Sequence, residues 1–199
     1  MTDQPAHSDP NSANLRAELR RQCIAARVAL PEAWRHAASR RILATLEEFC
    51  LARPPGVLAF CWPIRAEVDC RPLAERLIAA GWRATMPTVV ASDAPMSFRR
   101  WQPGMAMTQD PYGIPVPAAA ETLPPDVALL PLVAFDAAGY RLGYGGGYFD
   151  RTLAACAPRP LAVGVGFALA EVPSIHPEPH DIPLDAVVTE CGLRLFSPA

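Results

Sequence analysis

Apolar residues recur every three or four positions near the start of the chain, and arginines fall between them. The apolar positions are Leu15, Leu19, Cys23, Ala26 and Leu30. This spacing predicts an amphipathic helix that ends before Pro31. Since proline suits the first turn of a helix, a second helix is expected over 31–50, and the prolines and glycine at 54–56 stop it.

Short apolar runs follow, each of strand length and separated by helical or irregular segments. The expected strands cover 57–62, 82–90, 96–101, 127–135, 160–167 and 186–190, with a possible edge strand over 192–196. Helices are expected over 71–81 and 148–157, whereas the proline-rich segment 110–126 is too irregular for an element. Apolar strands alternating with helices predict an α/β fold: a single three-layer α/β/α domain with a mainly parallel sheet.

A chain of 199 residues that is 51% hydrophobic and 19% charged is expected to form one domain with a sizeable core. Residues 1–13 are polar, lack the apolar segment of a signal peptide and are expected to form a disordered tail, which leaves 14–199 as the domain. No run approaches the roughly 20 apolar residues of a membrane span. The six cysteines form no CxxC pair and indicate reduced, mostly buried thiols in a cytoplasmic protein.

The net charge of −2 provides no field that would attract nucleic acid or an anionic membrane, so neither is expected as a partner. Arginines on the first helix are more typical of a solvated face than of an RNA-binding surface. The segment His176–His180 offers two imidazoles, but its prolines prevent the helix that would align them on zinc. All 18 basic residues are arginine, so a bound phosphate must contact arginine, backbone or metal.

The segment RLGYGGGYFDR at 141–151 has four glycines within five positions, between a predicted strand and a predicted helix. Glycines let a ligand approach the main chain, and successive N–H groups next to a helix N-terminus form an anion-binding nest. The loop lacks the GK[ST] of a Walker motif, and Tyr148 replaces the last glycine of GxGxxG. A flexible turn would need only one or two glycines, so phosphate binding is favoured. Asp150 alone suits either a metal site or a helix start.

The segment 129–153, LLPLVAFDAAGYRLGYGGGYFDRTL, resembles the signature of the 5-formyltetrahydrofolate cyclo-ligase family, also called methenyltetrahydrofolate synthetases. The resemblance extends in family order to LRAELR at 15–20, WPIRAEVD at 62–69, MPTV at 86–89 and HDIPLDAVVTE at 180–190. It implies a ligase of one-carbon folate metabolism with 5-formyltetrahydrofolate and ATP as partners and Mg²⁺ as cofactor. The products are 5,10-methenyltetrahydrofolate, ADP and phosphate, and a monomer or weak homodimer is expected.

The resemblance also implies roles for individual residues. Arg141 and Tyr148 are the expected catalytic residues. Substrate binding is assigned to Trp62, Glu67 and Tyr148, and magnesium binding to Asp150 and Asp181. The expected ATP-binding residues are Ser12, Arg16, Arg141, Leu142, Gly143, Tyr144, Gly145, Gly146, Gly147, Tyr148 and Phe149.

One departure from the family concerns the lysine that usually precedes the LR pair and contacts ATP. Residues 11–14 are Asn-Ser-Ala-Asn, so the lysine's share of the phosphate charge is unassigned, and Arg20 and Arg151 are the candidates to replace it. The departure leaves open a non-catalytic protein that binds folate or nucleotide. A second alternative is an enzyme on a related scaffold, such as a sugar-phosphate isomerase or a CoA transferase, which would not consume ATP.

Overall fold

The computed structural model describes residues 10–196, and side chains from Ser12 onward. The helices are α1 (Pro10–Val28), α2 (Glu32–Leu51), α3 (Arg71–Ala79) and α4 (Tyr148–Ala155), with a 3₁₀ turn at Ala168–Ala170. The strands are β1 (Val57–Ala59), β2 (Arg83–Thr88), β3 (Ser97–Trp101), β4 (Met107–Gln109), β5 (Pro115–Pro117), β6 (Val127–Pro131), β7 (Ala134–Phe135), β8 (Arg141–Leu142), β9 (Leu161–Val165), β10 (Ala186–Thr189) and β11 (Gly192–Leu195).

Seven of these strands form the central sheet, in the order β11-β10-β9-β6-β1-β2-β3. The five inner strands are parallel to one another, whereas the edge strands β3 and β11 are each antiparallel to the strand beside them. Two separate pairs, β4 with β5 and β7 with β8, lie outside this sheet. The predicted α/β class with a mainly parallel sheet is confirmed.

The inner strands are apolar on both faces, because helices or loops cover each side. Leu58, Leu129 and Val163 share one core cluster with buried residues of α2 and α3. Their strand neighbours Ala59, Leu130 and Ala162 belong to a second cluster that includes Leu153 of α4. Alternate residues of a strand point to opposite faces, so the predicted three layers are confirmed. Within residues 10–196, no helix has the length and hydropathy that a membrane crossing requires.

The predicted strand over 127–135 is two strands. β6 ends at Pro131, and the chain then leaves the central sheet so that β7 pairs with β8 in antiparallel register. The Val133 N–H donates to the Leu142 carbonyl at 3.0 Å. A continuous apolar run indicates burial, but it does not reveal a change of strand partner within the run.

The proline-rich connection over 110–126 also contains an element that the pattern does not show. β5 pairs with β4 around a turn in which Asp110 Oδ1 accepts the N–H groups of Tyr112 and Ile114 at 2.8 and 2.9 Å. Prolines lack an N–H but are tolerated in edge strands, and Val116 between them is buried. The Asp110 carboxylate therefore orders a turn between strands that the proline-rich composition does not predict.

The first helix begins earlier than expected. α1 begins at Pro10, so residues 10–13 of the predicted tail are helical, since a proline fits the first turn without losing a hydrogen bond. Residues 1–9 of that predicted tail lie outside the described residues. Leu19 and Cys23 of α1 pack against the buried cluster of Ala134, Leu142 and Ile175. This packing lays α1 against the β7–β8 pair.

Candidate active site

One cavity of about 860 Å³ opens where the parallel strands end, which is where ligands bind in open α/β sheets. Its walls come from α1, the segment after β1, the β4–β5 turn, the glycine loop (residues 143–147) and residues 178–181. Among the predicted site residues, those lining it are Arg16, Trp62, Glu67, Arg141, Gly143, Tyr144, Gly145, Gly146, Gly147, Tyr148, Phe149, Asp150 and Asp181.

Two of the predicted ATP-binding residues are not among the lining residues. Leu142 is fully buried in the core, because neighbouring residues of β8 point to opposite sides and Arg141 takes the cavity side. A motif of consecutive residues does not show which of them point to the cavity and which to the core. Ser12 lies beside the cavity, with its Oγ 3.5 Å from Oε1 of Glu178.

Arg141 and Asp150 form a buried, two-point ion pair. Arg141 donates from Nη1 to Asp150 Oδ1 at 2.9 Å and from Nη2 to Oδ2 at 3.3 Å. Asp150 Oδ1 also accepts the Ile182 N–H at 3.1 Å. The first turn of α4 is thereby linked both to β8 and to the segment that contains Asp181.

Arg16 and Asp181 form a second buried pair, which lines the same cavity. Arg16 donates from Nη1 to Asp181 Oδ2 at 2.5 Å and from Nη2 to Oδ1 at 3.1 Å. The Glu178 N–H donates to the same Oδ2 at 2.7 Å. Burial acts to raise the pKa of Asp181, but the hydrogen bonds from Arg16 and the Glu178 N–H outweigh it and hold the pKa below its ordinary value.

The two predicted magnesium ligands have the right chemistry for the ion, although each is already bound to arginine. The described residues contain no cluster of three or more His, Cys, Asp or Glu side chains that could hold a metal. A carboxylate offers about four lone-pair sites, and three donors occupy Asp150 and three occupy Asp181. Each therefore keeps one acceptor position. Mg²⁺ commonly uses one or two carboxylates, with phosphates and waters completing its shell, so this donor set fits the ion together with a nucleotide.

The glycine loop needs glycine for two different reasons. Gly145 and Gly147 have φ values of 100° and 61°, in the left-handed region that disfavours side chains. Gly146 has ordinary φ, but an added Cβ would lie 2.7 Å from Cδ2 of Tyr148. Arg20 approaches the same loop and donates from Nε to the Gly143 carbonyl at 2.9 Å. The loop is thus shaped by backbone conformation and close packing.

Glu67 follows β1 and lines the cavity with a buried side chain. Its Oε1 accepts from the Tyr144 hydroxyl at 2.6 Å, and its Oε2 accepts the Ile64 N–H at 2.9 Å. Burial raises the pKa of Glu67 above its ordinary value, against these hydrogen bonds and the charges of Arg27 and Arg65. Tyr144 belongs to the glycine loop, so this hydrogen bond joins the loop to the segment after β1.

Aromatic side chains complete the walls. Trp62 carries the Arg71 guanidinium 4.2 Å from its ring centroid. The Tyr148 hydroxyl lies 2.6 Å from that of Tyr112, which comes from the β4–β5 turn. Arg151 donates to the Gly146 carbonyl and stacks on Tyr148, outside the cavity lining.

Sequence reasoning missed Tyr112 and Arg27. Tyr112 lies in the connection read as irregular, and nothing local links it to Tyr148. Arg27 contacts Tyr144 and the loop containing Arg65. A signal for Arg27 existed in helical spacing, because Arg16, Arg20 and Arg27 are separated by four and seven positions and so share one face of α1.

Residues 12–190 match the sequence model of the 5-formyltetrahydrofolate cyclo-ligase family. The chain belongs to this family. It is therefore a ligase, which confirms the resemblance and the enzyme class drawn from the sequence. A 5-formyltetrahydrofolate cyclo-ligase of Escherichia coli strain K12 is 35% identical over 147 residues, which cover 68% of this chain and 81% of the relative.

Solved structures of the family share the fold. The NMR structure of Aquifex aeolicus 5,10-methenyltetrahydrofolate synthetase has a TM-score of 0.77 and 30% identity, covering 93% of this chain and 94% of that one. A 5,10-methenyltetrahydrofolate synthetase from Mycoplasma pneumoniae has a TM-score of 0.71 and 26% identity, covering 88% and 98%. Both likenesses extend over almost the full length of each chain.

Proposed function

We propose that the protein converts 5-formyltetrahydrofolate to 5,10-methenyltetrahydrofolate in an ATP- and Mg²⁺-dependent reaction that releases ADP and phosphate. One observation carries the proposal: a single cavity is lined both by a glycine loop with arginines and by a buried glutamate with an indole. The first set suits a triphosphate, and the second suits a polar, aromatic ring system. Family membership supports the same reaction.

Arginines and backbone N–H groups bind the phosphates in this proposal. Arg141 keeps three of its five N–H donors after pairing with Asp150. Among the residues that the structure describes, Arg20 donates only from Nε, to the Gly143 carbonyl, and has no ion-pair partner. Its charge is therefore available to an anion, and we assign to Arg20 the part that lysine plays elsewhere in the family. Arg151 is engaged with Gly146 and Tyr148 and lies outside the lining.

Magnesium would be held by Asp150 and Asp181 together with the nucleotide. When bound, it neutralises phosphate charge that builds up during phosphoryl transfer. The chain's own contribution is to orient both carboxylates through Arg141 and Arg16. Those ion pairs also limit how much of each carboxylate the cation can use.

The chemistry begins with the formyl amide oxygen, which is a poor leaving group. That oxygen attacks the γ-phosphorus of ATP, and the bond to ADP breaks. The N10 atom of the folate then adds its lone pair to the formyl carbon, and the carbon–oxygen bond breaks as phosphate departs with the N10 proton. Arg141 and the loop N–H groups stabilise the phosphoryl charge, while Glu67, Trp62 and Tyr148 position the folate.

The test is an absorbance assay for methenyltetrahydrofolate formation from 5-formyltetrahydrofolate, with and without ATP and Mg²⁺. The proposal expects product only with both, and one phosphate released per product. Folate binding without turnover would indicate a non-catalytic binder. Turnover of a sugar phosphate or an acyl-CoA without ATP consumption would indicate the isomerase or transferase alternative.

The proposal also covers the domain, the location and the oligomeric state of the protein. We infer that one domain, expected over 14–199, performs the reaction in the cytoplasm as a monomer or weak homodimer. The single-domain part is supported because residues from α1 to Asp181 line one cavity. Equal specific activity across a wide range of protein concentrations is the expected observation, and loss of activity on dilution would contradict it.

A further inference from the structure

Arg27 is a buried arginine of α1 that lies behind the cavity wall. Its side chain is 6% exposed, and it is not among the residues lining the cavity. It donates from Nε to the Arg65 carbonyl at 3.0 Å, from Nη1 to the Leu132 carbonyl at 2.7 Å and from Nη2 to the Tyr144 hydroxyl at 2.7 Å. One guanidinium thus joins the turn after β1, the chain after β6 and the glycine loop.

The turn that Arg27 holds has an unusual backbone. Arg65 and Ala66 have φ values of 47° and 63°, two consecutive left-handed residues that both carry a Cβ. Such residues are disfavoured and persist only where surrounding contacts determine them. Here the Glu67 N–H donates to the Ile64 carbonyl at 3.0 Å, and Arg27 binds the Arg65 carbonyl. The strained turn places Glu67 on the cavity wall.

The same guanidinium also lies beside the Glu67 carboxylate. Arg27 Nη2 is 3.8 Å from Glu67 Oε1, the oxygen that accepts the Tyr144 hydroxyl. The Glu67 side chain is 5% exposed. Burial acts to raise the pKa of Glu67, and Tyr144, the Ile64 N–H and the charges of Arg27 and Arg65 act to lower it. The remaining titratable groups close by are the thiols of Cys61 and Cys70, whose pKa values burial raises.

We propose that Arg27 is a positioning residue: by holding Tyr144 and the strained 64–67 turn, it keeps Glu67 as a carboxylate directed into the cavity. Arg27 acts through Glu67 and does not touch the substrate. The inference rests on the proposed role of Glu67 towards the folate. It goes beyond that proposal because it gives α1 a part in positioning Glu67, through the Arg65 carbonyl and the Tyr144 hydroxyl.

The experiment compares Arg27→Gln, Arg27→Lys and Tyr144→Phe with Arg21→Gln, a control at an exposed position of the same helix. The first readout is the pH profile of kcat/KM for 5-formyltetrahydrofolate. An opposite charge nearby typically lowers a carboxyl pKa by about one unit or more, so Arg27→Gln should move the acid limb upward by about one pH unit. Arg27→Lys, which keeps the charge, should move it less.

The kinetic constants separate positioning from general damage. In Arg27→Gln the KM for the folate should rise about tenfold, while the KM for ATP changes less than about threefold. A merely structural role would lower the melting temperature without moving the pH limb. Arg21→Gln should match the wild type in every readout.

A direct titration keeps the outcome independent of the proposed reaction. Carbon-13 NMR of the Glu67 carboxyl, in protein without substrate, should show a higher pKa in Arg27→Gln and in Tyr144→Phe. Unchanged values in folded Arg27→Gln would overturn the inference. If that variant does not fold, unchanged values in Tyr144→Phe, which loses only the hydroxyl, would overturn it. A shifted pKa with unaltered folate kinetics would support the position of Arg27 and contradict the folate role of Glu67.

Discussion

At the residue scale, the arginines of the cavity differ in whether they already form an ion pair with a carboxylate. Arg16 and Arg141 are each bound in two-point pairs with aspartates, whereas Arg20, within residues 10–196, donates to the Gly143 carbonyl and has no ion pair. Burial and the neighbouring Arg16 lower the pKa of Arg20, which is the direction expected for a cation without an anionic partner. A triphosphate would satisfy it.

Arg20→Gln should therefore raise the KM for ATP about tenfold or more, since a charge-assisted hydrogen bond contributes roughly 1.5–3 kcal/mol. The KM for the folate should change little. Steady-state kinetics with each substrate varied in turn measure both values, with Arg21→Gln as the control. A larger loss in Arg151→Gln than in Arg20→Gln would reverse the assignment of the phosphate-binding charge.

Gly146→Val tests the glycine loop in a different way. An added Cβ meets the Tyr148 ring at 2.7 Å, so the ring or the loop must move. We expect kcat/KM for ATP to fall by about a hundredfold, while the melting temperature falls by only about 2–4 °C, as for a loss near 1 kcal/mol in a chain of this size. Gly104→Ala is the control for a glycine substitution outside the cavity lining: its φ of 76° makes the change costly in stability, but it should leave ATP use unchanged. Normal ATP use by folded Gly146→Val would place the phosphates elsewhere.

At the scale of elements, α1 contributes most to assembling the cavity. Its apolar residues pack on the β7–β8 pair, and its arginines reach the segments after β1 and β6, the glycine loop and residues 176–181. Helical periodicity predicted this helix, but only part of its packed face. Leu19 and Cys23 pack as expected, whereas Leu15 is exposed, and Arg16 and Arg27, expected on a solvated face, are buried. Periodicity could not predict which distant carboxylates and carbonyls the arginines meet. The same limit explains why the division of 127–135 between two sheets and the pairing of β5 were missed.

The attachment of α1 should depend on pH through Asp181. Because its pKa is held below the ordinary value of about 3.9, ionised Asp181 stabilises the fold above that pH, and the stabilisation is lost as pH falls through the folded-state pKa. Arg16→Gln should thus lower the free energy of unfolding by about 3 kcal/mol at pH 7 and by clearly less near pH 2.5. Urea unfolding at both pH values measures the difference, and equal losses would show that the pair does not act through its charge.

At the scale of the whole molecule, residues of α1, the sheet ends and the C-terminal third share one cavity, so ligand binding should stabilise the fold cooperatively. A ligand at a hundred times its Kd adds about 2.7 kcal/mol. For a chain of this length, that corresponds to a rise in melting temperature of roughly 5–10 °C.

We expect this rise with ATP and Mg²⁺, a smaller one with ATP and EDTA, and turnover only with the metal. Differential scanning calorimetry provides the measurement, for the protein without nucleotide, with ATP and Mg²⁺, and with ATP and EDTA. GTP is the comparison nucleotide. Equal stabilisation and equal turnover in EDTA would contradict the assignment of Asp150 and Asp181 to the metal.

The all-arginine composition of the cavity has a consequence for side reactions. An activated formyl group readily formylates a primary amine, and a lysine among the phosphates would offer one next to the reacting carbon. Guanidinium groups stay protonated and are far weaker nucleophiles, so they bind the same charge without competing with N10 for the carbon. In the proposed reaction, arginine supplies all of the Lys/Arg-type charge available to the phosphates, which leaves the folate's own nitrogen as the acceptor.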